Sequence, residues 1–320
     1  MIRLVKTILL AMAFWPLLAL AQTYPTKPVR IVLPFGPGGI ADITTRTIAP
    51  KLSDGLGQQV VVENMPGAGG IRAAETVARA EPDGHTLLLL TNGNAVSQAL
   101  FKSLPYDPVN DFATISTVGY FSMVILTRPE SSAKTLQEAI AMAKANPGKM
   151  NIGTITPGGT QHLAGELFRS TAGIDALVVP HKTTGEVIVA ARNGNVDLAV
   201  DFIAPLLANI KSGALRALAV TAGKRFPGLP DVPTAIEAGV AGYDVASWNA
   251  MAAPAKTPRA VVDRVNAELR KAIAAPDVQK RFEELGVEGR TSTPEQLREF
   301  FIAESKRWAR VVETAKIPKQ

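Results

Sequence analysis

The sequence predicts an α/β protein of two lobes, each a doubly wound, mainly parallel sheet flanked by helices. Three observations predict it. Short apolar runs alternate with segments of helical spacing, and the joints between them are glycine turns. The same alternation resumes at Met150, so two blocks of about 100 residues each are expected to form two lobes. Two extended runs, residues 122–128 and 244–254, lie between the blocks and offer the crossings.

The first segment stands apart from both blocks. Arg3 and Lys6 make a basic start, Thr7 to Leu20 is an apolar run interrupted only by Pro16, and Ala19-Leu20-Ala21 is a small-x-small cleavage signal. Residues 1–21 therefore read as a secretory signal peptide cut before Gln22. The apolar run is shorter than the roughly 20 residues a membrane span needs.

In the first block, residues 29–33 form a strand and residues 34–39 a turn. Residues 40–52 form a helix with Ile40, Ile43, Thr44, Thr47 and Ile48 on one side, stopped by Gly55 and Gly57. A Val-rich strand (59–63), a second glycine turn (66–70), a helix (71–80), the Asp83-Gly84 turn and a strand (86–90) follow. The second block reads as strand 150–154, turn 157–159, helix 161–170, strand 177–179, helix 186–193, and strands 197–200 and 215–221. Residues 258–285 then form one long amphipathic helix or a helix pair, opened by Thr257-Pro258 as cap and first-turn proline. Thr293-Pro294-Glu295-Gln296 is a capping box for the last helix, whose Phe300, Phe301 and Trp308 are read as packing residues.

Composition narrows the chemistry. Among the 320 residues there is no cysteine, which removes disulfides, Cys-zinc sites, thiolate nucleophiles and a lipid-modified N-terminal Cys. The formal charge is +6, and residues 1–21 hold two bases and no acid, so the exported chain carries +4. No Lys/Arg run forms a patch, so nucleic acid is not an expected partner. A cysteine-free exported chain of this size fits a bacterial periplasm.

Three glycine turns each precede a helix: Gly36-Pro37-Gly38-Gly39, Gly67-Ala68-Gly69-Gly70 and Gly158-Gly159-Thr160. A helix start has unpaired N–H groups and a partial positive charge, and glycine lets a ligand approach the backbone; together they seat a carboxylate or phosphate. The first and third turns occupy corresponding places in the two blocks, so facing lobes would bring two helix N-termini to one anion. Gly36, Gly38 and Ala41 also fit the G-x-G-x-x-A dinucleotide fingerprint, with Glu63 ending the next strand. Pro37 weakens that reading by removing an N–H from the turn. No nucleophile elbow or P-loop is present, and His85, His162 and His181 are too scattered for a local metal motif. Asp42 reads as a cap or a ligand contact, His181 lies at a strand end with a place in the cleft open to it, and Asp201 faces either the cleft or a partner N–H.

The order of these turns resembles the Bug family, the solute receptors of tripartite tricarboxylate transporters. The segments that carry the resemblance include Tyr24-Pro25-Thr26-Lys27-Pro28-Val29-Arg30, Val61-Val62-Glu63-Asn64, Pro82-Asp83-Gly84-His85-Thr86-Leu87, Leu104-Pro105-Tyr106-Asp107-Pro108 and His162-Leu163-Ala164-Gly165-Glu166. Arg216-Ala217-Leu218-Ala219-Val220-Thr221 and Pro230-Asp231-Val232-Pro233-Thr234 extend it over essentially the whole exported chain. The resemblance implies a type II periplasmic-binding-protein fold with lobe 1 over residues 22–121 and 246–320 and lobe 2 over residues 122–245. It implies a receptor, not an enzyme, that closes on a small organic anion, a carboxylate, and delivers it to a membrane permease. A freely diffusing monomer without cofactor or metal is expected. Carried over by position, the ligand contacts fall at Phe35, Gly36, Gly38, Gly39 and Asp42, at Asn92 and Asn94, at Thr154, Thr156, Gly159 and Thr160, and at Asp201.

Two departures bear on ligand choice. Val179-Pro180-His181-Lys182-Thr183 stands where the family commonly has Val-Pro-Tyr-Lys-Gly, which adds His181 to the candidate contacts. Trp248-Asn249-Ala250 stands where a Trp-aromatic-Gly run is common. The rival readings are a dinucleotide-dependent oxidoreductase and a ligand sensor built on the same fold.

Overall fold

The computed structural model describes residues 24–155 and 159–319. The leader expected over residues 1–21, and Thr156, just before the third glycine turn, lie outside them. Among the described residues no helix is long and apolar enough to cross a membrane.

The chain forms one continuous curled sheet with two halves. The first half begins with β1 (Val29–Leu33), α1 (Ile40–Leu56), β2 (Val60–Asn64), α2 (Ile71–Ala78), β3 (Thr86–Thr91) and α3 (Asn92–Leu100). β4 (Phe112–Thr127) then runs through both halves. The second half holds α4 (Leu136–Ala145), β5 (Met150–Ile155), α5 (Thr160–Thr171), β6 (Ala176–His181), α6 (Thr184–Asn193), β7 (Leu198–Phe202), α7 (Ile203–Lys211) and β8 (Arg216–Val220). β9 (Ala246–Pro254) returns to the first half, followed by α8 (Arg259–Ala274), α9 (Pro276–Glu284), β10 (Val287–Gly289) and α10 (Pro294–Thr314).

The strand order is β2-β1-β3-β9-β4-β7-β5-β6, with β8 and β10 also on β4. β1 pairs in parallel with β2 and β3, and β5 in parallel with β6 and β7. The centre is antiparallel: β9 runs against β3 and β4, and β4 against β7, β8 and β10. The parallel sheet expected in each lobe is thus found in the outer strands, and the inner strands depart from it. One strand that leaves a half and another that returns to it must run in opposite directions when they lie side by side.

Local chemistry explains the element bounds. β1 and β3 are buried on both faces, so they read as near-continuous apolar runs. α1 buries Ala41, Thr44, Thr45, Ile48, Leu52 and Leu56 along one stripe and stops at Gly57, whose φ of 75° lets its N–H close on the Ser53 carbonyl. The long run after Pro258 is a helix pair, because Pro276 cannot continue a helix but fits the first position of the next. In α10 the capping box forms as written in the sequence: Thr293 Oγ1 accepts from Gln296 N and Gln296 Oε1 accepts from Thr293 N.

α10 packs into both halves. Its Leu297 and Phe301 join the core of Leu88, Trp248 and Ala250, whereas Trp308, Val311 and Val312 join Phe168, Leu163 and Tyr243 of the second half.

Candidate functional site

A cavity of about 430 Å³ opens between the halves. Pro34 and Phe35 after β1, Gly67, Gly69 and Gly70 before α2, and Thr91, Gly93, Val96, Leu100 and Phe101 around α3 line it from the first half. Ile155 after β5, Gly159, Thr160 and Gln161 at the start of α5, and Phe202 after β7 line it from the second. Ser247 of β9 completes it. None of these side chains is ionisable. Six are large and apolar, so any charge on a ligand here meets backbone dipoles and neutral donors instead of Lys or Arg.

The helix starts supply those dipoles. α5 begins at Gly159, which has no side chain to cap it, and its first backbone bond runs from Leu163 N to Gly159 O at 3.0 Å. Among the described residues the amide groups of Thr160 and Gln161 have no side-chain cap, which leaves them for solvent or ligand. Asn92 Nδ2 donates to Thr160 Oγ1 at 3.1 Å and ties the start of α3 to the start of α5 across the cavity. The second glycine turn approaches closely: a Cβ at Gly70 would lie 2.9 Å from Pro34 Cβ, and one at Gly69 would lie 2.5 Å from the Phe101 ring. Both glycines also have positive φ.

Phe35, Gly159 and Thr160, singled out from sequence, line the cavity, and Asn92 reaches it through Thr160. Gly36, Gly38, Gly39 and Asp42 form the neighbouring turn at the start of α1. There Asp42 Oδ2 accepts from Gly38 N at 2.9 Å, while its Oδ1 accepts from Arg46 Nε at 3.0 Å and Asn64 Nδ2 at 2.9 Å. Burial alone would raise the Asp42 pKa, but these hydrogen bonds and the Arg46 charge outweigh it and hold the carboxyl below its usual range. The Gly38 amide is occupied by the chain itself. Glu63, the acid a ribose would need, pairs with Arg30 at 3.1 Å. The turn is thereby deprived of two groups on which a dinucleotide would depend.

Asn94 is a local brace: its Oδ1 accepts from Thr91 N at 2.9 Å and Thr91 Oγ1 at 3.0 Å. It sits in the first turn of α3, not in the loop expected after the third strand. Thr154 is fully buried near the end of β5, and its Oγ1 has no hydrogen-bond partner among the described residues. His181 is half-buried, and its Nδ1 lies 3.1 Å from Val179 O and 3.3 Å from Thr154 O, so that nitrogen carries the proton.

Asp201 is fully buried and saturated. Gln161 Nε2 at 3.1 Å and Phe202 N at 2.7 Å donate to Oδ1, and Thr184 Oγ1 at 2.7 Å donates to Oδ2. Burial pushes its pKa up, against the pull of those three donors. Asp201 fixes Gln161, which does line the cavity, and joins the starts of α5 and α6. Of the two sequence alternatives it takes the partner N–H. Among the described residues no cluster of acids and histidines could hold a metal ion.

Gly93 and Ile155 lie inside the stretches 92–94 and 154–160 that the resemblance points to; the remaining lining residues were not placed in the site by sequence reasoning. Gly67, Gly69 and Gly70 carried a signal as the second glycine turn. Val96 and Leu100, four apart on α3, carried the weaker one of helical spacing. Ser247 carried none.

The profile of the tripartite tricarboxylate transporter family receptor, TctC, matches residues 44–317. The chain belongs to the TctC family. TctC-family proteins are periplasmic solute-binding receptors. Protein BugT of Bordetella pertussis is 35% identical over 294 residues, which covers 91% of this chain and 90% of that one. A UPF0065 protein from the tcbD-tcbE intergenic region of Pseudomonas sp. (strain P51) is 37% identical over 292 residues, covering 91% and 87%. Among solved structures, the periplasmic binding protein BugD is 35% identical with a TM-score of 0.76, covering 93% of this chain and 100% of that one. Rhodopseudomonas palustris contributes two structures that carry ligands. Rpa4515 with adipate is 31% identical, with a TM-score of 0.79 and coverage of 93% and 100%. MatC with bound malate is 32% identical, with a TM-score of 0.75 and coverage of 90% and 100%. The curled two-part sheet of this TctC-family chain is the fold of those binding proteins.

Proposed function

We propose that this receptor captures a small dicarboxylate in the cavity between its halves and hands it to a membrane permease. The observation that carries the reading is an uncharged cavity rimmed by the uncapped start of α5 and by glycine turns from the opposite half. Helix-start amide groups seat a carboxylate there, and Phe35, Leu100, Phe101 and Phe202 accept the carbon skeleton. The adipate and malate held by two family structures support the ligand class. The halves act as lobes, residues 22–121 with 246–320 and residues 122–245, which close because only the closed state contacts the ligand from both sides. Membership of a receptor family supports a protein that binds its ligand and releases it unchanged. It works as a monomer in the periplasm after loss of residues 1–21.

Thermal-shift titration with adipate, malate and a nicotinamide nucleotide tests this. A dicarboxylate at 100 times its dissociation constant should add about 2.7 kcal/mol of stability. A shift with the nucleotide and none with either acid would overturn the proposal.

A further inference from the structure

A second cavity, of about 930 Å³, lies on the other side of the crossing strands. Its position follows from the ladder between β4 and β9, where Phe121 pairs with Ser247, Ser122 with Ala246 and Tyr120 with Trp248. Paired residues share a face of the sheet and successive residues alternate. Ser247 lines the front cavity, whereas Tyr120, Ser122 and Ala246 line the rear one. The two cavities therefore sit back to back on one pair of strands. The rear cavity is walled by residues 222–227 of the second half and by α9, β10 and α10 of the first.

Its chemistry is the reverse of the front. Where the front has no charged side chain, the rear is lined by Lys224, Arg225, Lys280, Arg290 and Arg307 against four acids. Most of these groups are already engaged. Glu304 Oε2 accepts from Trp248 Nε1 and Trp308 Nε1, and its Oε1 pairs with Arg307 at 3.3 Å. Asp244 Oδ1 accepts from Gly223 N. Arg225 pairs with Glu237 outside the cavity, and Arg290 lies over the Tyr120 ring at 4.4 Å. Lys224, Lys280 and Glu283, all exposed, have no side-chain hydrogen bond or ion pair among the described residues, and the two lysines, on opposite walls, leave a net positive charge.

We propose that this rear cavity is a second binding site, for a polycarboxylate of citrate's size that bridges Lys224 and Lys280. The Asn92–Thr160 hydrogen bond spans the front cavity between the two halves. Rotation about the crossing strands that opens the front narrows the rear. An anion that holds the rear walls together therefore opposes front closure, and by linkage the front ligand weakens the rear anion by the same factor.

Calorimetric titration of citrate into the exported protein tests the site without relying on the identity of the front ligand. Three proteins are compared: wild type, Lys224→Glu/Lys280→Glu, and Gly93→Leu, which fills the front cavity. Citrate is expected to bind Gly93→Leu at least as tightly as wild type, because a filled front cannot close, and to lose about tenfold or more in affinity for the charge-reversed protein. Loss in Gly93→Leu with retention in the charge-reversed protein would place citrate in the front and overturn the rear site, while leaving the front reading intact. Equal binding to all three, or none to wild type, would overturn it as well. Displacement of citrate by equimolar phosphate would overturn the carboxylate class.

Discussion

Glu304→Ala is expected to cost the fold about 3–4 kcal/mol. The residue is 7% exposed, and one carboxylate oxygen accepts both indole N–H groups, from Trp308 at 2.9 Å and Trp248 at 3.2 Å. Trp248 and Trp308 are themselves 1% and 0% exposed, so neither indole can turn to water when the acceptor is removed. A buried donor left without a partner costs roughly 1–3 kcal/mol, and two are left here. The ion pair to the more accessible Arg307 adds little. At about 2 °C per kcal/mol, the low end of the range because this chain is larger than those it describes, the melting temperature should fall by roughly 6–8 °C. Urea unfolding followed by far-ultraviolet circular dichroism reads the loss without relying on the tryptophans whose surroundings change. Glu304→Gln keeps a carbonyl acceptor and should lose only about 1 kcal/mol. A loss below about 1 kcal/mol for the alanine variant, or equal losses for both, would refute the claim that the shared acceptor is what matters.

Substitutions at two further positions probe the candidate site. Asp201 has a folded pKa raised by burial, so its favourable contribution is full below the ordinary 3.8 and is lost as pH rises through the folded value. Asp201→Asn, in which Thr184 can turn from donor to acceptor, should therefore gain relative to wild type between pH 4 and pH 7 in chemical denaturation, and a flat or opposite difference would sink the argument. Asp201→Ala should instead lose about 2–3 kcal/mol at either pH, because Gln161 and Phe202 N are left without an acceptor. Gly69→Ala places a methyl group 2.5 Å from Phe101 at a φ of 60°, and should cost about 1–3 kcal/mol and shift the Phe101 ring into the front cavity. An unchanged melting temperature together with unchanged adipate affinity would show that neither the turn nor the ring is constrained.

Much of the architecture could be read from spacing, because the outer strands and their helices obey local rules. Val29 to Leu33, the stripe on α1 and the box at Thr293 each announce themselves within a few residues. The centre of the sheet was harder. β4 is a 16-residue strand whose Thr-, Ser- and Gly-containing first part lacks a clean alternation, since it meets β9 on one edge and β10 on the other. α3 was hidden because Asn92, Gly93 and Asn94 look like a loop until Asn94 is seen bracing Thr91. In the site, glycine turns pointed to the right places, but sequence could not tell which amides are free. Asp42 takes the Gly38 amide, and Asp201 is consumed by its three donors. Both facts depend on partners brought from distant parts of the chain or on side-chain direction, and neither leaves a trace in local pattern.

The path of the chain through β9 and α10 also constrains when the protein can fold. β9 lies between β3 and β4, yet it is made about 150 residues after β3, and α10 fills both cores at the very end. Until β9 is synthesised, β3 has an unpaired inner edge and Leu88 and Leu90 lack their cover; until α10 arrives, both cores are open. The two cores that α10 enters are therefore expected to be completed late and together, after the outer strands and helices of each half are already made.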